Sequence, residues 1–402
     1  MSSSSPTLRR SIGLVSLTLY GVGVTIGAGI YVLVGEMAGR AGSLAPLSFV
    51  VAALVAAFTA LSYCELAARM PVASGEAAYV RVGLRSSRLA VAIGVMIMFV
   101  GMLSSATMLQ GMAGYARVLI PLPREALILG ALMMLGALAF WGVRASVWAA
   151  AVVTVIETGG LVWVVVAAAP HAVASPAPWE PAGVMGVLSA AVIAFFAFIG
   201  FEDIGKMAEE TRRPETTVPR AILLTLVIST LLYVGVAWAA VRVVPPSELA
   251  LAPDPVAEVL RRIDARGVAV IAGVASIAVV NGALIQILMA SRLLYGMARK
   301  KLIPAVFARV HPRRRTPHVA TFAACAVIAV LALTFPLGDL AQTTSFATLF
   351  AFAVVNLALM RIRAEPTRVP AAFTAPSWAP PLGFVSSLAL GALGAFDLFS
   401  GR

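Results

Sequence analysis

Charge is scarce in this chain. Asp, Glu, Lys and Arg make up 12% of its 402 residues, about half the share found in an ordinary soluble domain. So few ionised side chains cannot clothe a water-facing surface, which excludes a soluble globular protein. Cysteine is scarcer still. Cys64 and Cys325 are the only two, and both stand in apolar surroundings, where packing accounts for them better than a disulfide or redox pair. The three histidines, His171, His311 and His318, fall in predicted connections without HExxH or any metal-ligand spacing, so no metal site is expected. Cofactor motifs fail as well. Gly200 to Lys206 fits GxxxxGK, but Met207 replaces the magnesium-binding hydroxyl and no strand precedes it. Gly21, Gly23 and Gly27 miss the dinucleotide-binding spacing by one. With no nucleophile–base constellation either, the chain does not read as an enzyme, and no cofactor is expected.

What is abundant is apolar surface. The chain is 60% hydrophobic, its mean hydropathy is +0.96, and long apolar runs alternate with short charged clusters. Only a lipid bilayer solvates so many runs. At roughly 20 apolar residues per crossing, eleven spans are predicted: 10–35, 44–66, 89–116, 125–143, 147–169, 186–208, 219–243, 267–298, 319–336, 341–361 and 380–400. The first apolar run, about 12–35, outlasts a signal-peptide core and has no obvious cleavage site, so it reads as a retained helix.

The formal net charge of +12 raises the question of a nucleic-acid partner, which the positions of the charges answer. With the N-terminus in the cytoplasm, every Lys and Arg falls inside except Arg40, Arg117, Arg124, Arg242, Arg261, Arg262, Arg266 and Arg402. That is the positive-inside pattern of a multi-pass inner-membrane protein, and it needs no nucleic acid. Residues 74–88, short, basic and half apolar, predict an interfacial helix. Residues 245–266, with four prolines, predict an outer loop bearing a short helix, either as a gate or as a passive cover.

Two spans break their own pattern. The first carries Gly21, Gly23, Gly27 and Gly29 within nine residues, and each weakens a helix by about 1 kcal/mol relative to alanine. Such a run is either a small-residue packing face or an unwound segment lining a cavity. The sixth span places Glu202 and Asp203 beside Gly200 and Gly205. A mid-bilayer acid is costly and must face protein or water. These acids either cap an inner half-helix or, for Glu202, meet a cationic side chain. Both readings need a break. Interruptions in spans one and six, in matching places of two five-helix halves, point to an inverted-repeat transporter. Half-helix N-termini offer N–H groups to a carboxylate, and unwound carbonyls accept from an ammonium group. An amino acid supplies both.

At these residues the chain resembles the amino acid–polyamine–organocation transporters, and most closely their amino acid permeases related to cationic amino acid transporters. The similarity rests on Gly21 to Glu36, on Tyr63 to Pro71, on Phe195 to Pro219 with its Glu209-Glu210-Thr-Arg-Arg-Pro214 ending, and on Ser291 to Ala298. It covers residues 10–300, while the last hundred match in hydropathy alone. The resemblance implies an all-α, LeuT-like 5+5 inverted repeat in one transporter domain, with halves at 10–169 and 186–361 and an extra helix at 380–400. It implies secondary transport of an α-amino acid by alternating access, driven by H+ or Na+ or by exchange. Carried over by position, Thr25, Ile26, Gly27, Ala28 and Gly29 would hold the substrate carboxylate. Ile199, Gly200 and Phe201 would take the amine and begin the side-chain pocket, with Phe196 as an aromatic gate. Ser104, Ser105 and Asn281 are further pocket candidates.

The chain departs from the resemblance in two ways. Related permeases often carry a lysine in the fifth span where this sequence reads Val152-Val-Thr-Val-Ile-Glu157. Glu157 could carry a proton or, as an anion, hold sodium, with Asn281 as a second coupling candidate. It could equally be a buried structural acid. The second departure is length, since the family usually adds two or more helices after its ten-helix core. A channel or a non-transporting amino acid receptor on the same fold is the rival reading, although no repeated polar ring or re-entrant filter is visible.

Overall fold

Apolar runs become helices here because a helix pairs its amides within one segment, where no water can. The computed structural model of the protein describes residues 10–71, 75–141, 147–299, 303–365 and 371–400. In chain order the helices are α1 (Leu14–Ala41), α2 (Ala45–Arg69), α3 (Gly75–Gly83), α4 (Ser87–Leu119), α5 (Arg124–Trp141), α6 (Val147–Ala174), α7 (Val184–Phe196), α8 (Asp203–Lys206) and α9 (Pro214–Val243). They continue with α10 (Pro246–Leu249), α11 (Pro255–Ile263), α12 (Val268–Arg299), α13 (His318–Thr334), α14 (Leu337–Ala364) and α15 (Ala379–Ser400). Among the described residues nine helices are long and apolar enough to cross a membrane, and α7 and α13 are shorter apolar helices. The protein is an all-helical, multi-pass membrane protein.

The expected sixth span, 186–208, is interrupted as its acids and glycines suggest: it runs as α7, a turn at 197–202 and the four-residue α8. The predicted interfacial helix also divides. Arg85 takes a left-handed φ of 50°, and the Ser86 hydroxyl accepts from the Leu89 amide at 3.2 Å, so Ser87 and Arg88 belong to α4. Ser74 of that helix, and residues 142–143 of the fourth span, lie outside the described residues. The predicted outer loop holds two short helices, each opened by a proline at its first turn. That position has no helical N–H to lose.

Residues α3 and α11 mark the two ends of the bundle. The core lies around α1, which packs on α6, α7, α9 and α12. At the α3 end the Ser11 and Ile12 amides donate to Glu210 O at 2.9 and 3.1 Å, and Arg212 N returns to Ile12 O at 2.9 Å. At the α11 end Ser43 N donates to Glu180 O at 2.9 Å and Ala182 N to Ala41 O at 3.2 Å. The chain on either side of α1 is thereby strapped to the chain on either side of the α7–α8 break.

A buried ion cluster closes the α3 end. The side chain of Glu65 on α2 is fully buried. It accepts from Arg69 Nε at 2.9 Å, from Arg363 of α14 and from the Ala375 amide at 2.8 Å. Arg363 also donates to Ala375 O at 2.6 Å. The Arg85–Glu365 pair nearby is different in kind, because Arg85 is 78% exposed. Removing one partner of a buried charge is expensive, whereas an exposed pair contributes little. Arg363→Gln is therefore expected to destabilise the purified protein by about 3 kcal/mol and Arg85→Gln by less than about 1 kcal/mol. Thermal unfolding of the two variants in one detergent measures the contrast, and equal shifts would refute it.

Candidate functional site

The break in α1 sits at Gly27, whose φ of −13° and ψ of −137° leave the helical region. The four glycines divide between the two roles the sequence left open. A Cβ on Gly21 would lie 2.4 Å from Ile204 Cδ1, on Gly23 1.9 Å from Thr154 Oγ1, and on Gly29 2.3 Å from Ala197 Cα. Those three are packing glycines. A Cβ on Gly27 would meet only Met108 Cε, at 3.7 Å, so Gly27 is where the backbone turns and not where a neighbour crowds it.

The second break follows α7. The amides of Ala197, Phe198 and Ile199 reach back three residues to Ala194, Phe195 and Phe196, at 3.0 to 3.2 Å. This tight winding ends at Gly200, whose φ of +125° is open to glycine alone. A Cβ there would lie 2.9 Å from Val24 Cγ1 and 3.1 Å from Val24 O. The two breaks are therefore in direct contact, Gly29 on Ala197 and Gly200 on Val24.

Several backbone groups freed by the breaks have protein partners. The Tyr233 hydroxyl of α9 shares its proton between Thr25 O at 2.7 Å and Ala197 O at 2.8 Å. The Gly200 amide donates to Glu202 Oε2 at 2.8 Å. Glu202 occupies the N-cap position of α8 without capping it, because its carboxylate turns back into the turn. Asp203 does not cap either; it pairs with Lys206 at 2.6 Å, and Lys206 lies 3.8 Å from Glu76 of α3. Nothing in the sequence singled out Tyr233, one tyrosine within the apolar run of α9. Its role depends on α9 passing beside both breaks.

The remaining predicted residues separate into groups. Thr25, Ile26, Gly27 and Gly29 share the α1 break; the side chain of Ala28 lies outside the described residues. Phe196 is buried at the end of α7. Ile199 and Glu202 line a cavity of about 20 Å³ with Gly101 of α4 and Gln286 of α12, room for about one water. Phe201 points elsewhere, its ring 5.7 Å from Tyr63 and 5.4 Å from Phe352, so only its backbone belongs to the break. Ser104 is buried, and Ser105 donates to Ala283 O at 3.5 Å as a tie between α4 and α12. Met108 was missed. Its thioether lies 3.1 Å from a Cβ built on Gly282 and its methyl faces Gly27, so it fills the space between α1 and α12. A methionine within an apolar run carries no sequence signal of that.

Glu157 is buried on the face of α6 that meets α1, its Oε1 3.3 Å from a Cβ built on Gly23. Both carboxyl oxygens lack a hydrogen-bond partner among the described residues, as does Thr25 Oγ1. Asn281, the second coupling candidate, therefore makes no hydrogen bond to the Glu157 carboxyl group. Tyr31 donates to the Glu157 backbone carbonyl at 2.7 Å. Beside the two breaks is thus a buried set of oxygens with unused acceptor capacity, the chemistry that a proton or a hard cation requires.

Tyr233→Phe keeps the ring packing on Phe49 and Phe198 but leaves two buried carbonyls without their donor. It is expected to destabilise the protein by about 1–3 kcal/mol. Thermal unfolding of this variant checks the bridge, and an unchanged transition would show that the hydroxyl ties nothing together.

Known proteins resemble this chain along most of its length. The branched-chain amino acid permease BcaP of Bacillus subtilis is 32% identical over 93% of this chain and 85% of its own length. A methylthioribose transporter of the same organism is 29% identical over 93% of this chain and 86% of its own. Mouse cationic amino acid transporter 4 is 30% identical over 92% of this chain and 62% of its own. Residues 16–395, which include both breaks, Glu157 and Tyr233, match the family described as amino acid permease, and the chain belongs to that family.

Proposed function

We propose that the protein is a secondary transporter of α-amino acids that works by alternating access about the paired breaks. The observation that carries this reading is the direct contact of two interrupted helices, Gly29 on Ala197 and Gly200 on Val24. A zwitterion needs donors and acceptors together at one point in an apolar medium, and two adjoining breaks supply both. The carboxylate is assigned to the backbone of Thr25–Gly29 and the ammonium to that of Ile199–Phe201. Spans one to five (10–169) and six to ten (186–361) then form the two repeats, with α15 as the eleventh crossing. The α3 end, where Lys and Arg concentrate, faces the cytoplasm across the inner membrane.

The side-chain pocket is assigned to Met108, Phe196 and Ile199. These are apolar, and Glu202 is already engaged by the Gly200 amide, so substrates with apolar side chains are expected to lead. The name of the B. subtilis branched-chain permease supports testing leucine, isoleucine and valine first. Glu157 and the unpartnered Thr25 hydroxyl are assigned to ion coupling by H+ or Na+, with Asn281 as an outlying candidate.

Uptake of a labelled amino acid panel into proteoliposomes tests the proposal. Saturable accumulation is expected, with apolar amino acids at least about 10-fold ahead of lysine and arginine, a preference worth about 1.4 kcal/mol. No saturable uptake of any amino acid would overturn the transport reading, and preference for lysine or arginine would return Glu202 to the pocket. Glu157→Gln is expected to abolish the dependence of uptake on pH or on Na+ while leaving exchange of internal for external substrate measurable. A variant with both ion dependences intact would remove Glu157 from coupling.

A further inference from the structure

A second cavity, of about 590 Å³, opens at the α3 end of the bundle between α3, α4 and α12. Its polar lining is basic. Arg81 of α3 and Arg292 of α12 both border it, both are exposed, and neither forms an ion pair among the described residues. No acidic residue lines the space. Its other wall is apolar, with Val91 of α4 and Leu293 and Met297 of α12. Two glycines face it as well, and a Cβ built on Gly94 or Gly296 would have no atom within 4 Å. Val91 also belongs to the exposed apolar stripe of α4 that continues through Val95 and Phe99. The cavity therefore joins a basic rim at the bundle's end to the apolar belt along its side.

We propose that this cavity binds an anionic phospholipid, its phosphate held by Arg81 and Arg292 and one acyl chain lying against Val91, Gly94 and Gly296. Two guanidiniums from different helices suit the spread oxygens of a phosphate diester. Basic recesses between membrane helices are suited to anionic headgroups, since the surrounding lipid supplies the ligand at high local concentration. A small soluble anion would use the rim and have no use for the apolar floor; a neutral lipid would use the floor and leave the arginines without a partner. Bridging α3 to α12, the lipid would hold the short α3 helix, and with it Glu76 near Lys206, against the bundle. The proposal depends on the bundle crossing a bilayer and is independent of what the protein transports.

The test uses the full chain purified in a neutral detergent, with thermal unfolding and native mass spectrometry as readouts. Phosphatidylglycerol, phosphatidylcholine and inorganic phosphate are each titrated into wild type, an Arg81→Gln/Arg292→Gln variant, a Gly94→Leu variant and an Arg313→Gln/Arg314→Gln control. The expected result is a raised transition and retained lipid with phosphatidylglycerol alone. Apparent affinity should fall at least 10-fold in the Arg81/Arg292 and Gly94 variants and stay unchanged in the control. Because the arginines are exposed and unpaired and Gly94 has open space, all variants should unfold like wild type without lipid. Equal stabilisation by inorganic phosphate would make this a small-anion recess and overturn the proposal. So would equal binding of phosphatidylglycerol by wild type and the Arg81/Arg292 variant. Protection of a Gly296→Cys thiol by transported amino acid, and not by phosphatidylglycerol, would also overturn it by assigning the cavity to the transport path.

Discussion

A backbone amide or carbonyl released from its helix inside an apolar medium must find another partner, and the centre of this structure is arranged around that requirement. Two helices are interrupted within the buried centre of the bundle. Tyr233 answers for one carbonyl in each break with a single hydroxyl. Glu202 answers for the Gly200 amide from two residues away. Each unsatisfied group would cost several kcal/mol in hydrocarbon, so these side chains decide whether the breaks can exist.

The same requirement ties the broken helices to each other. Backbone bonds join their flanks at both ends, Ser11–Ile12 to Glu210 and Ser43 to Glu180, and Tyr233 joins them in the middle. Held at three levels, α1 and the α7–α8 segment keep their glycine contacts in register. The charged groups follow a related logic. Glu65 is buried with two arginines and an amide, and Lys206 is matched by Asp203 and Glu76. Glu157 is the exception, buried beside the breaks with both carboxyl oxygens unbonded among the described residues. A fully paired acid would be structural. The spare capacity of this acid beside the breaks is what the proposed ion-coupling role rests on.

Much of this was legible in the residues. Hydropathy located every long helix, because a span must present about 20 apolar residues whatever it packs against. Both breaks were visible as well, since runs of glycine and mid-span acids are local violations of the pattern that makes a helix. What could not be read was how each glycine is used. Gly23 and Gly27 look alike in sequence, yet one accommodates Thr154 and the other turns the chain. Glu202 read equally well as a helix cap or as a pocket acid; it does not cap α8, because its carboxylate accepts from the Gly200 amide instead. Tyr233 and Met108 gave no signal, being ordinary members of apolar runs.

Composition and periodicity by themselves determined that the chain is helical and multi-pass and marked its first and sixth spans as irregular, for these are properties of single segments and of the solvent they require. The tertiary structure decided which freed backbone groups find protein partners, such as Thr25 O, Ala197 O and the Gly200 amide. It also decided that Glu157 faces the first break, that Phe201 turns away from it, and that Arg81 and Arg292 meet at one cavity. Each of those outcomes depends on how helices far apart in sequence are brought side by side. A hydrogen bond or an ion pair forms only within about 3–4 Å, and spacing along one chain cannot specify which distant residue will stand at that distance.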